Sequence, residues 1–259
     1  MECKNCSLAL RTDYSYCPKC GAKVILNRMN LKNLANDVTE RFFNFDNTFL
    51  KTFLHLLTKP HLVIGGYVKG VRKKYMDPIS FMTIALTLSG ILMFFLRKYF
   101  KDDINWNQLA NAQNEAANAK IMEAMFEYNS FVFLLYIPIL AIASYLTINK
   151  GTYNLPEYFV TFIYILAEYS ILSFPISIAI LLISPELYLE IGVPFVFFIF
   201  VYSIYVLQKM NGYKINYLIT RSMLYLFLTL VGFIGLIIAV TIVLFATDVV
   251  TIAEFTPPK

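Results

Sequence analysis

SMLYLFLTLVGFIGLIIAVTIVLFA, residues 222–246, runs for 25 positions without an Asp, Glu, Lys, Arg or His. A helix crossing the hydrocarbon core of a bilayer needs about 20 predominantly apolar residues, so a stretch this long reads as a transmembrane span rather than a buried core helix. Working back toward the N-terminus, four more segments meet or approach the same length: 191–207, 156–183, 131–148 and 78–96. The fourth in chain order, 191–207, is the short one, with Lys209 placed to snorkel to the interface beyond it. Composition agrees, since 58% hydrophobic and 15% charged residues depart from the roughly 45–50% and about 25% of soluble domains. The fold class that follows is an all-α polytopic membrane protein, a five-helix transmembrane bundle over 78–250 with a short tail at 251–259.

Upstream of the spans the character changes. Residues 1–77 hold 13 Lys/Arg against 6 Asp/Glu, and the remainder 9 against 11. A basic head can signal nucleic acid, but the same excess is what the positive-inside rule requires of a cytoplasmic segment ahead of a first span. Nucleic acid is therefore not an expected partner; the lipid bilayer is. The opening residues MECKNC contain no apolar signal-peptide core, so the first span is expected to direct insertion. Lys150, Lys209, Lys214 and Arg221 fall in loops that alternate with a Lys/Arg-free turn at 184–190, which predicts an inside N-terminus and an outside C-terminus. The loop after the first span mixes Arg97, Lys98, Lys101 and Lys120 with five acidic residues. Its later part, rich in Ala, Glu, Gln and Met, predicts a helix outside the membrane that runs on into the second span.

All four cysteines lie in the first 20 residues as Cys3-x-x-Cys6 and Cys17-Pro18-Lys19-Cys20, followed by Gly21. Each CxxC places two sulfurs on one tight knuckle, and two knuckles complete a tetrahedral thiolate shell. Residues 1–25 are therefore expected to form a zinc ribbon with Zn2+ held by Cys3, Cys6, Cys17 and Cys20. So local a set does not suit a disulfide framework, and a thioredoxin-like site would need a βαβ context. Thiolate ligands also favour a reducing compartment.

Between ribbon and spans, residues 26–77 read as amphipathic juxtamembrane helices. Leu31, Leu34, Val38, Phe42 and Phe45 recur at helical spacing, then Phe49, Phe53, Leu56 and Leu57, with Asp46 or Asn47 as a cap between the two. These faces are too interrupted to span, so they are expected along the membrane surface, with Lys32, Glu40 and Lys51 toward water. Pro60 predicts the start of a third helix at the position proline tolerates, running through Val71 to Arg72, Lys73 and Lys74. That cluster reads as a basic juxtamembrane anchor for anionic headgroups. Gly65, Gly66 and Gly70 are expected to let this helix approach the spans closely.

Within the spans, Glu168 is the candidate polar site, because a carboxylate at mid-depth is costly unless it is neutral, paired or facing the interior. Tyr164, Tyr169, Ser170, Ser173, Tyr202 and Tyr205 are its candidate partners. Pro138 and Pro175 predict kinks. His55 and His61 read as interfacial side chains, and no GxSxG, HExxH or paired-aspartate pattern is present.

The cysteine pattern, the amphipathic stretch, Thr52-Phe53-Leu54, and Pro60 leading to Gly66-Tyr67-x-x-Gly70-x-Arg72-x-x-Tyr75-x-x-Pro78 together resemble the bacterial membrane proteins grouped as domain of unknown function 3667. The resemblance covers about residues 1–80, with Val71 departing from a family position occupied by Lys. It implies a zinc-ribbon head, a membrane region and the inner membrane of a two-membrane bacterium, and it carries no activity. Five spans with opposite termini also resemble Yip-type trafficking proteins at the level of architecture, which does not transfer function. The function expected is a non-enzymatic membrane adaptor or accessory subunit, docking with other membrane proteins or with its own copies. The alternative is a transporter or channel-like protein using Glu168.

Overall fold

The computed structural model describes residues 2–3, 6–21, 24, 48–100, 104, 115–149 and 151–247, with backbone alone at 115–119, 121–127, 129–130, 193 and 215. The chain divides into two compact units, residues 1–47 and 48–259. In the first, the described residues contain no strand, only an antiparallel bridge between Glu2 and Ala9. The second is helical: α1 at residues 48–58, α2 Pro60–Val68, α3 Pro78–Tyr99, α4 Glu115–Ile148, α5 Leu155–Ile183, α6 Tyr188–Asn211 and α7 Ile215–Ala246.

Five stretches of these helices are long and apolar enough to cross a membrane: Pro78–Tyr99, Phe131–Ile148, Leu155–Ile183, Pro185–Asn211 and Asn216–Ala246. α4 continues unbroken from the polar segment into its span, as its composition predicts. The expected turn at 184–190 is itself helical: a 3-10 turn at Pro185–Leu187 leads directly into α6. The fourth span is thereby 27 residues rather than about 17. Pro185 starts the turn at the N-terminal position where its missing N–H costs nothing, so a segment read as loop adds to the span.

α5 is the central element, packing on α2, α3, α4 and α6, and 44% of its most apolar stretch is buried. α7 lies at the periphery with only 6% buried, which suits a helix whose long apolar sides meet lipid. One close approach fixes α7 to α4: a Cβ built on Gly232 would sit 2.5 Å from Cγ2 of Ile139. The expected role for Gly65, Gly66 and Gly70 is not seen. At Gly65 and Gly66 a Cβ would make ordinary contacts of 3.9 and 3.7 Å, and Gly70 instead supplies a left-handed φ of 94° where α2 ends. Proline lies inside α4, α5 and α6, at Pro138, Pro175 and Pro194, and each helix runs on through it.

Candidate functional site

The four cysteines meet in the first unit. Ser7 N donates to Cys3 O at 2.8 Å and Gly21 N donates to Cys17 O at 2.9 Å, so each Cys-x-x-Cys turn is closed by the same bond to its first cysteine. The residue after each second cysteine is left-handed, Ser7 at φ 55° and Gly21 at φ 72°. Glycine makes that conformation easy in the second turn. All four sulfurs lie within 4.8 Å of one another, with Cys3–Cys20 and Cys6–Cys17 at 3.6 Å and no disulfide. A tetrahedron with metal–sulfur bonds of about 2.3 Å has edges of roughly 3.8 Å, so the cluster has the dimensions of a thiolate metal shell. The Leu8 backbone bond favours the Cys6 thiolate, but desolvation and the other three sulfurs push its thiol up to about 12. A divalent cation reverses that balance, because it rewards the thiolates that the cysteines alone penalise. These four residues can hold a metal; Cys3 and Cys17 are buried, Cys6 is half-buried and Cys20 exposed.

In the second unit the polar groups of residues 48–80 converge on the spans. Thr52 Oγ1 accepts from Met76 N at 2.9 Å, and His55 Nδ1 pairs with the Tyr75 hydroxyl at 2.8 Å, folding the segment after α2 back onto α1. Three tyrosines from the bundle then donate to carbonyls of this segment: Tyr202 to Leu56 O, Tyr205 to Thr58 O and Tyr164 to Met76 O, at 3.1, 3.0 and 2.7 Å. Leu56, Val63 and Ile64 are buried in the same core as Phe81 and Phe162, and Phe49 and Phe53 pack on its edge with Phe49 5.8 Å from the Phe81 ring. Helical carbonyls near a C-terminus lack intrahelical partners, and tyrosine is the side chain able to reach them from an apolar span. These contacts make α1 and α2 a platform fixed to one end of the bundle. Periodicity shows that α1 is amphipathic; it carries no signal that Tyr202 and Tyr205, 146 and 147 residues away, hold it, and Thr52 and Tyr75, present in the family pattern, carry no local signal of their bonds to Met76 and His55.

Two expectations are corrected here. α2 stops at Val68 rather than continuing to the basic cluster, because Gly70 turns the chain and its N–H caps the Tyr67 carbonyl. Arg72, Lys73 and Lys74 therefore sit on exposed non-helical backbone directly before α3, with the Arg72 guanidinium 3.8 Å from the centre of the Tyr67 ring. Lys51 is half-buried, its ammonium 5.9 Å from the Tyr75 ring, rather than turned to water. Residues 31–47, with Lys32, Glu40, Phe42, Phe45 and the candidate caps, lie outside the described residues, as do Lys150 and the tail at 251–259. His61 is exposed.

Glu168 is 1% exposed in the middle of α5, and neither carboxylate oxygen has a hydrogen-bond partner. The tyrosine pairing expected for it does not form. Tyr164 and Tyr202 donate to carbonyls of the platform instead, and Ser170 and Ser173 to Ala85 O and Ser170 O. Leu56 O near the C-terminus of α1 and Met76 O on non-helical backbone lack an intrahelical donor, so they compete successfully for the two tyrosine hydroxyls.

Residues 46–90 match the family model described as protein of unknown function (DUF3667). This match bears out the family resemblance over α1, α2, the basic segment and the first half of α3, and it begins after the cysteine head. No curated protein and no solved structure matches the chain.

Proposed function

We propose that this protein is a membrane adaptor without catalytic activity, in which the spans carry a rigid juxtamembrane platform and a structural zinc head for contact with other membrane proteins. The observation that carries the reading is what the family-matched stretch does with its polar groups. The Leu56, Thr58 and Met76 carbonyls accept from tyrosines of the spans, Thr52 and His55 tie the segment after α2 to α1, and α2 packs through buried Val63 and Ile64. The outer side keeps Lys59, His61, Leu62, Lys69 and the 72–74 cluster exposed. A surface held that firmly is pre-organised for docking, since little ordering remains to oppose association.

Zinc is the metal of the head in this reading: four thiolates in a tetrahedral arrangement select it, and a closed shell leaves no position for a substrate. The basic platform faces the cytoplasm of a bacterial inner membrane, and five spans place the C-terminus on the other side. Reporters attached at residue 3 and residue 259 should label from opposite faces; labelling from one face would overturn the odd span count.

The adaptor reading is tested by placing a photocrosslinking side chain at His61, Leu62 or Lys69 of the full chain in native membranes. The expected result is a reproducible membrane protein crosslinked at these positions and lost on reversing the charges of Arg72, Lys73 and Lys74. A second reading, an ion or solute path through Glu168, is supported by its two unpartnered oxygens. Flux across vesicles containing the purified protein, abolished by Glu168→Gln, with no protein crosslinked at α2, would replace the adaptor by that reading.

A further inference from the structure

The half of the bundle away from α1 and α2 holds a partly open cavity of about 1200 Å³. All five spans wall it: α3 from Ser89, α4 over 128–140, α5 over 166–180, α6 over 188–200 and α7 over 233–247. We propose that this cavity is a binding site for the hydrocarbon chain of a bilayer lipid from the leaflet opposite the platform. The inference stands independently of the adaptor reading.

The described lining is apolar. Among the described lining residues there is no Asp, Glu, Lys, Arg or His, and most are Leu, Ile, Val and Phe. Ser170, Ser173 and Ser177 form a hydroxyl stripe on α5, but Ser170 and Ser173 already donate to backbone carbonyls at 3.2 and 3.1 Å. With those protons committed, these two hydroxyls call for no hydrogen-bond acceptor on a ligand. Water gains little in such a space: an apolar cavity of about 150 Å³ stays dry and takes up a hydrocarbon when one is offered. A void several times that size sacrifices the contacts that close packing supplies, and an apolar chain restores them.

Its dimensions select the class of occupant. The α5 positions 166 to 180 rise by roughly 21 Å and the α4 positions 128 to 140 by roughly 18 Å. One leaflet of a bilayer, half of a total of about 40–45 Å with headgroups, has that depth. A partner's transmembrane helix would need a groove along the whole core of about 30 Å, and the cavity is confined to one half. The cavity is partly open, and Val196 on α6 and Ile237 on α7, which line it, are 54% and 64% exposed. Tyr128 and Tyr188 lie at the end nearest the membrane surface, where amphipathic rings meet headgroups.

The test uses the full chain in vesicles of phosphatidylethanolamine and phosphatidylglycerol containing a phosphatidylethanolamine with a diazirine near the end of one acyl chain. After illumination, adducts are expected on residues 166–180 together with 188–200. Ser173→Phe, which fills the cavity, should lower those adducts several-fold while leaving labelling of the outward Met223 and Phe227 of α7 unchanged. If Ser173→Phe fails to fold, Val196→Trp at the mouth replaces it with the same expectation. Adducts confined to the outward α7 residues would overturn the proposal, as would cavity labelling that neither variant reduces. Crosslinking of the cavity residues to a polypeptide instead of lipid would also overturn it and assign the space to a partner helix.

Discussion

At the level of single residues, Glu168 and Asp77 are carboxylates with opposite environments. Glu168 is enclosed without a partner, and a buried polar group left unsatisfied costs about 1–3 kcal/mol. Glu168→Leu is therefore expected to raise the thermal unfolding midpoint in detergent; a fall would reveal a partner that holds the carboxyl in the native protein. Asp77 is satisfied: its Oδ1 accepts from Ser80 N at 2.9 Å and caps α3. Partial burial raises its pKa, but the hydrogen bonds from Ser80, with backbone donors at Asp77 and Ile79, outweigh burial and hold the carboxyl below its ordinary value. A group depressed in the folded state contributes stability that is complete above its unfolded value and disappears as pH falls through the folded one. Asp77→Ala should cost about 0.5–2 kcal/mol at neutral pH. The difference from wild type should shrink below about pH 3.9, as read by thermal melts across pH; a penalty that persists in acid would assign the loss to something other than the charged cap.

At the level of elements, packing separates glycines that sequence presents as alike. Gly232 and Gly235 both lie in α7, yet a Cβ meets Ile139 at the first and nothing within 4 Å at the second. Gly232→Ala should destabilise the α4–α7 pair by about 1–3 kcal/mol, the usual cost of overpacking. Gly235→Ala should be neutral or slightly stabilising through helix propensity. Equal midpoints for the two variants would show that α7 is free to shift from α4. Hydrogen bonds hold the platform in a comparable way. Tyr202→Phe with Tyr205→Phe removes the donors to Leu56 O and Thr58 O, at about 1 kcal/mol each. The double variant should expose Lys51 of α1, half-buried and followed by Thr52, to faster tryptic cleavage in membranes open on the platform side. Unchanged cleavage would mean that apolar burial of Leu56 and Ile64 suffices to hold α1.

At the level of the whole molecule, the division into two compact units predicts independent stability. A thiolate site supplies much of the folding energy of a small metal domain. Chelation, or Cys17→Ser, should abolish the head's fold and the one zinc per chain proposed for it, as read by elemental analysis, with the helical signal of the bundle retained. Loss of the helical signal together with the metal would show that the units fold as one. The all-helical class and the five spans were legible in the sequence because they depend on runs of apolar residues, which lipid requires whatever their neighbours are. The cysteine cluster was legible because Cys-x-x-Cys spacing is a local property of one turn. Where hydroxyls, glycines and cavities meet depends on residues far apart in the chain. Tyr164 and Tyr202 were expected as hydrogen-bonding partners of Glu168; Tyr202 does lie near it, and only the packing of α5 and α6 against the platform decided that both hydroxyls donate to the Met76 and Leu56 carbonyls. Hydropathy located the fourth span but not its start, since a proline-led helical turn and a loop have similar composition. The sequence by itself thus determined which segments are long and apolar enough to cross a bilayer and which sulfurs cluster, both short-range matters of solvation and turn geometry. Tertiary structure decided which polar groups are satisfied, which glycine admits a neighbour and where the bundle leaves a cavity, because each of those is settled by competition among side chains that only the fold brings together.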